Sequence, residues 1–208
     1  VTLKLGVLVS GSGSNLQAIL DACANKSLDA SVELVLSNKP GVYALERAAR
    51  AGVATAVLSH KDFSTREAFD AEVVRLLRAR SVDTVALAGF MRIVTPTLLD
   101  AFASRVINVH PALLPSFVGV DAQRQALDYG AKITGCTVHF VDAGTDTGPI
   151  IAQAAVPVLE DDTVEALRAR VLVEEHRLLP LALQWLAEGR LSIDGRRVRV
   201  RPLAHAST

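Results

Sequence analysis

The 208-residue sequence predicts an α/β fold: a Rossmann-like parallel sheet in the N-terminal half, extended by an antiparallel hairpin into a mixed sheet, with a long helix near the C-terminus. Three observations lead there. In the first half, short apolar, β-branched runs alternate with stretches of helical spacing, the pattern of strands joined by crossover helices. Two longer strand-like runs follow with only DAGTDTG between them, a link too short for anything but a hairpin. Beyond them an apolar stripe recurs at three- and four-residue steps towards Gly189.

Taken in order, Lys4 to Ser10 is an apolar run that stops at Gly11, and Asn15 to Cys23 has helical spacing at Leu16, Ile19 and Leu20. Val32 to Ser37 is the second strand, Tyr43 to Ala51 a short helix and Ala54 to Leu58 the third strand. Thr65 to Arg80 is amphipathic, with Phe69, Val73, Leu76 and Leu77 on one side, and Thr84 to Ala88 is the fourth strand. Val106 to Val109 is the next, ended by Pro111, which has no N–H for a ladder. In open sheets of this type ligands collect at the carboxyl ends of the strands, where Gly11, Gly89 and His110 fall. After Pro115, Gln123 to Tyr129 reads as a short helix, and Lys132 to Val141 and Pro149 to Val158 as the hairpin strands. Asp162 and Glu165 read as a capping box that starts the long helix. Pro180 is expected to kink it by removing the bond to the His176 carbonyl. Ile193 to Arg201 is expected to form a last hairpin around Asp194 and Gly195. Without a repeat or linker, residues 1–208 read as one domain of two continuous halves, 1–105 and 106–208.

Composition excludes several functions. Lys plus Arg and Asp plus Glu balance at 22 each, so nothing electrostatic argues for nucleic acid or a membrane surface. Cys23 and Cys136 lack metal or redox spacing, which favours reduced thiols, a cytoplasmic setting and no metal. The N-terminal apolar run reaches a glycine turn too soon for a signal peptide, and no stretch approaches a membrane-spanning length.

Four features carry chemistry. A pleated strand sends Asn108 and His110 to one face and Val109 into the core. Asn108 offers an amide donor and His110 an imidazole, suited to a carbonyl passing through a tetrahedral adduct; the alternative is a turn that satisfies its own backbone. In Gly11-Ser12-Gly13-Ser14-Asn15, two glycines, two hydroxyls and a helix N-terminus make a site for a single phosphate. The run is neither a Walker loop nor a complete dinucleotide fingerprint, and the alternative is a tight turn with Asn15 as N-cap. In the hairpin loop, Asp142 and Asp146 are ordinary turn residues unless the sheet end brings Asp146 to His110, where a carboxylate would orient a proton-relaying water. His139 reads as a support rather than a catalyst. On the long helix, Glu175 shares a stripe with Leu167, Val171, Leu178 and Ala182, and needs either a ligand ammonium or an internal Arg.

These pieces, in this order, resemble the phosphoribosylglycinamide formyltransferase family. The marks are SGSGSNLQAI, SNKPG, LAGFMRIV, INVHPALLP, AQRQAL, TVHFVDAGTDTGPII and the EEH of the long helix. The resemblance implies transfer of formyl from 10-formyltetrahydrofolate, as co-substrate, to the amine of glycinamide ribonucleotide in purine biosynthesis. It implies that Gly11, Ser12, Gly13, Ser14 and Asn15 bind the phosphate and Glu175 the glycinamide end. Arg66, Met91, Arg92, Ile93 and Val94, with the backbone of Asp142, Ala143, Gly144 and Thr145, would bind the folate; by halves, 1–105 would be mainly the phosphate-binding and 106–208 the catalytic and folate-binding one. Asn108, His110 and Asp146 would be the catalytic set, with no metal, in a monomer or homodimer. Where many members carry a proline and a histidine, this chain has Val118 and Asp121. That is expected to loosen the loop and rules out an imidazole at position 121. The rival reading is a 10-formyltetrahydrofolate deformylase, which delivers formyl to water. A rival from another class is a non-catalytic phosphate-binding module on the same fold.

Overall fold

β-Branched runs and amphipathic stretches fold as alternating strands and helices because each buries its apolar side against the other. The computed structural model describes residues 2–203. β1 (Leu3–Val9), β2 (Ala30–Ser37), β3 (Thr55–Val57), β4 (Thr84–Leu87) and β5 (Val106–His110) pair in parallel in the order β3-β2-β1-β4-β5. β6 (Ile133–Phe140) runs antiparallel to β5, and β7 (Ile150–Pro157) antiparallel to β6. The terminal hairpin, β8 (Leu191–Asp194) and β9 (Arg197–Val200), joins β7 through β9 and completes a sheet of nine strands.

Period-two alternation divides the core. Val7 and Val9 face one side of the sheet, where α1 (Ser14–Ala24), α2 (Tyr43–Arg50), α5 (Ala122–Tyr129) and α6 (Val164–Ala187) pack. Leu8 faces the other, under α3 (Arg66–Ala79) and α4 (Pro96–Ala101). Strand order reverses between β1 and β4: the chain leaves β1 outward through β2 and β3, then returns to β4 on β1's other side. Crossovers depart in opposite directions there, and a crevice opens at the strand ends. Ser10 spans it, its N–H donating to Gly89 O (3.1 Å) and its hydroxyl to Asn38 Oδ1 (2.6 Å) while accepting from Met91 N (2.9 Å).

Several local expectations differ from the structure. α6 is capped by Thr163, whose Oγ1 accepts from Ala166 N (3.1 Å), and not by a box from Asp162. The Asp162 carboxylate instead takes both arms of Arg170 (2.6 and 2.8 Å) and Leu159 N (2.8 Å), a charge-assisted fork that outweighs a neutral cap. As expected, α6 runs on past Pro180 towards Gly189, ending at Ala187. α1 begins behind Gly13 in a left-handed conformation (φ 71°), so Asn15 is inside the helix and not its cap. α4 carries no periodic signal at six residues, but Thr95 before Pro96 is the mark of its start.

Candidate active site

β5 ends with Asn108 and His110 at the carboxyl edge of the sheet, as the pleat requires. The antiparallel register with β6 sets Asn108 opposite His139 and His110 opposite Thr137. The Thr137 hydroxyl donates to Ala112 O (2.7 Å) and accepts from Leu114 N (3.0 Å), pinning the turn that follows His110. His139 Nδ1 lies 2.8 Å from Phe140 O and therefore carries the proton, which leaves Nε2 to accept from Asn108 Nδ2 at 3.2 Å. Burial holds this imidazole below its usual pKa, consistent with a neutral acceptor. His139 thus supports Asn108 and leaves its second amide hydrogen for a ligand.

The β6–β7 loop folds back over the strand ends. Asp142 Oδ1 accepts from Gly144 N (3.1 Å) and Thr147 Oγ1 (2.6 Å), and a side chain at Gly148 would run into the Phe140 carbonyl. Asp146 is held at φ 54°, left-handed geometry that Asp tolerates better than most residues. Its Oδ2 stands 3.3 Å from His110 Nδ1. His110 Nε2 faces Phe117 O at 2.8 Å. Both ring nitrogens thus face acceptors, and only the doubly protonated ring gives each a donor. Gly119 N also donates to Asp146 Oδ2 (2.8 Å), tying the 116–121 loop to the His110–Asp146 pair. In this loop the Asp121 carboxylate lies 3.9 Å from Arg168 Nη2, both exposed.

A cleft of about 840 Å³ runs past this cluster. Asn108, His110, Asp146, Glu175, Met91, Arg92, Ile93, Val94, Asp142, Gly144 and Thr145 all line it. Arg66 and Ala143, expected at the folate, do not line it: Arg66 is exposed in the first turn of α3 and Ala143 at the loop tip. The 89–95 wall is fixed from behind by buried Asp70, which accepts from Thr95 N (2.6 Å) and Oγ1 (2.8 Å), while Arg92 stacks on Phe69 at 4.8 Å. Burial raises the Asp70 carboxyl, and the two Thr95 donors oppose that rise.

At one end the cleft continues into a cavity of about 180 Å³ over the crevice between β1 and β4. Gly11, Ser12, Gly13, Ser14 and Asn15 all line it, and Ser12, Ser14 and Asn15 line the cleft as well. Glu175 is only 6% exposed, and the Asn15 amide donates to its Oε2 at 2.6 Å. Among the described residues its partner is this neutral amide and not an internal Arg. Burial therefore still dominates and raises the carboxyl above its usual range. Asn15 Oδ1 is buried without a hydrogen-bond partner among the described residues, a second acceptor beside Glu175. Arg168 and Leu172 join Glu175 on the cleft side of α6. Counting back from Glu175 in steps of three and four would have found them. His176 does not line the cleft; burial first, then Arg47, holds its imidazole below the usual range.

The sequence matches the formyl transferase family over residues 3–183. It is 43% identical over 203 residues to the phosphoribosylglycinamide formyltransferase of Escherichia coli (strain K12), covering 94% of this chain and 96% of that one. The chain belongs to the phosphoribosylglycinamide formyltransferase family. Within this formyltransferase family, the crystal structure of glycinamide ribonucleotide transformylase 1 from Symbiobacterium toebii superposes with a TM-score of 0.96 at 55% identity, covering 97% of this chain and 95% of that one. The trifunctional purine biosynthetic protein adenosine-3 of Drosophila melanogaster is 50% identical over 188 residues, covering 89% of this chain but 14% of that protein. The formyltransferase fold is thus shared with free-standing relatives and with one segment of much longer ones. Among the described residues, no helix is long and apolar enough to cross a membrane.

Proposed function

We propose that this chain, acting as one formyltransferase domain, transfers the formyl group of 10-formyltetrahydrofolate to the primary amine of glycinamide ribonucleotide in purine biosynthesis de novo. The observation that carries the reading is the meeting of Asp146 with His110 at 3.3 Å beside Asn108, in a cleft that leads to the glycine-serine turn. Three chemistries are arranged along one substrate: an anion site, a buried carboxylate for an amine or hydroxyls, and a proton-transfer cluster. The folate occupies the apolar wall of Met91 to Val94 and the loop backbone at Asp142 to Thr145. Unpaired Cys23 and Cys136 fit a reducing cytoplasm.

Each residue then has a task. The neutral amine attacks the formyl carbon, and the carbonyl oxygen becomes an oxyanion. The free amide hydrogen of Asn108 and Nε2–H of His110 stabilise that charge where it develops. The oxyanion takes the Nε2–H that Phe117 O accepts in the structure, so the 116–121 loop yields as substrate enters. A water held on Asp146 takes a proton from the attacking nitrogen and gives one to the folate nitrogen as the C–N bond breaks. Glu175 and Asn15 hold the glycinamide and ribose end between phosphate and formyl. A spectrophotometric assay of tetrahydrofolate production tests the reading: product forms only with both substrates present. Equal formate release without ribonucleotide would make the chain a deformylase.

A further inference from the structure

An anion-binding turn works only if its N–H groups are turned the same way before the ligand arrives, because reorienting peptides on binding costs affinity. In this chain the groups that turn them belong to α2. Ala44 N, an unsatisfied donor of α2's first turn, donates to Gly11 O at 3.2 Å. Arg47 Nε, one turn on, donates to Ser12 O at 2.9 Å. A trans peptide sets its N–H opposite its C=O, and the bonds after Gly11 and Ser12 are trans. With both carbonyls drawn towards α2, the N–H groups of Ser12 and Gly13 must face away from it. On that side lies the cavity of about 180 Å³, which no α2 residue lines.

The arrangement is rigid. Arg47 Nη1 also donates to Gln17 Oε1 (3.1 Å) on α1, and its guanidinium stacks on the Tyr43 ring at 4.6 Å. Gly13 packs so closely that an added Cβ would stand 2.6 Å from Ala44 Cβ. Among the described residues, no hydrogen bond uses the backbone N–H of Gly11 through Asn15.

The geometry points to Arg47 as a positioning residue for anion binding: from behind the turn, it fixes the Ser12–Gly13 peptide so that its N–H meets a phosphate monoester. The role rests on reading the turn as the phosphate site, and it deepens that reading. Arg47 lines neither the cleft nor the cavity. It uses the planar fork and the stacking face of a guanidinium, which an ammonium cannot reproduce.

The test is a titration of ¹⁵N-labelled protein with inorganic phosphate, following the Ser12 and Gly13 amide resonances. In the wild type these shift with phosphate; in Arg47→Ala the apparent affinity falls about tenfold, the worth of one hydrogen bond to a charged group. Arg47→Lys keeps the charge, serves if the alanine variant does not fold, and stays weakened. Full recovery in Arg47→Lys would overturn the proposal by making charge alone the cause. In steady state, the KM for ribonucleotide rises about tenfold in both variants while the folate KM holds. A fall in kcat with unmoved ribonucleotide KM would make Arg47 merely structural. If the wild type shows no phosphate-dependent shift, the anion site itself fails, and the inference with it. If both proteins titrate alike, only the role of Arg47 fails.

Discussion

Replacing Asp146 with Asn tests the proposed catalytic cluster with little else disturbed. Asn tolerates the left-handed backbone at φ 54° as readily as Asp, and its amide oxygen can still accept the Gly119 N–H now at 2.8 Å. What disappears is a negative charge 3.3 Å from His110 Nδ1 and, with it, the base proposed to hold the relaying water. With the ring protonated, a unit charge pair at that separation is worth about 5 kcal/mol at an effective dielectric constant of about 20. Loss of a positioned proton carrier typically lowers turnover about 10² to 10⁴, or about 3 to 5 kcal/mol of barrier. The first is a ground-state attraction and the second a barrier, and Asp146→Asn is expected to lose turnover in the second range with both substrate KM values little changed. The assay is initial-rate tetrahydrofolate production at saturating substrates, with folding checked by circular dichroism. Turnover within about threefold of wild type would refute the reasoning, because the closest charged contact in the cleft would then be irrelevant to the reaction.

Four further outcomes follow from individual contacts. His110→Ala should lose about 10² to 10⁴ in turnover with modest change in substrate affinity, and equal steady-state activity would remove His110 from the scheme. Glu175→Gln should raise the ribonucleotide KM about tenfold or more, and an unchanged KM would count against its role. The same variant should be the more stable protein as pH rises. Burial raises the Glu175 carboxyl, so the folded wild type keeps a proton the unfolded chain has lost, and its stability falls between the unfolded and folded pKa. Glutamine has no such slope, and urea midpoints differing equally at acid and neutral pH would contradict this. Asp162 behaves oppositely: Arg170 holds it down from 3.8 to about 2, so its contribution is present above the unfolded value and lost as pH falls through the folded one. Asp162→Asn should therefore flatten the loss of stability between about pH 4 and about pH 2, read from denaturant midpoints. Identical acid slopes would show that the fork contributes nothing.

The alternation of strands and helices, the hairpin across DAGTDTG and the shared face of Asn108 and His110 were legible from spacing, because they depend on backbone geometry within a few residues of each other. So was the oddity of Glu175, since an acid on an apolar stripe is visible without a partner. The partner was not: Asn15 lies 160 positions away, and only the packing of α1 on α6 brings its amide to Glu175. The Asp162 fork with Arg170 escaped for the same reason on a smaller scale, a side chain two turns along α6 displacing the local capping rule.

By itself, the sequence determined which residues could do chemistry and which way the strands would present them, for these follow from covalent chemistry and the pleat. The tertiary structure alone decided how they combine. The β5–β6 register sets His139 against Asn108, the folded-back loop brings Asp146 to His110, and α2 aligns the Gly11–Gly13 turn from behind. Such juxtapositions depend on long-range packing and charge, which no local pattern encodes.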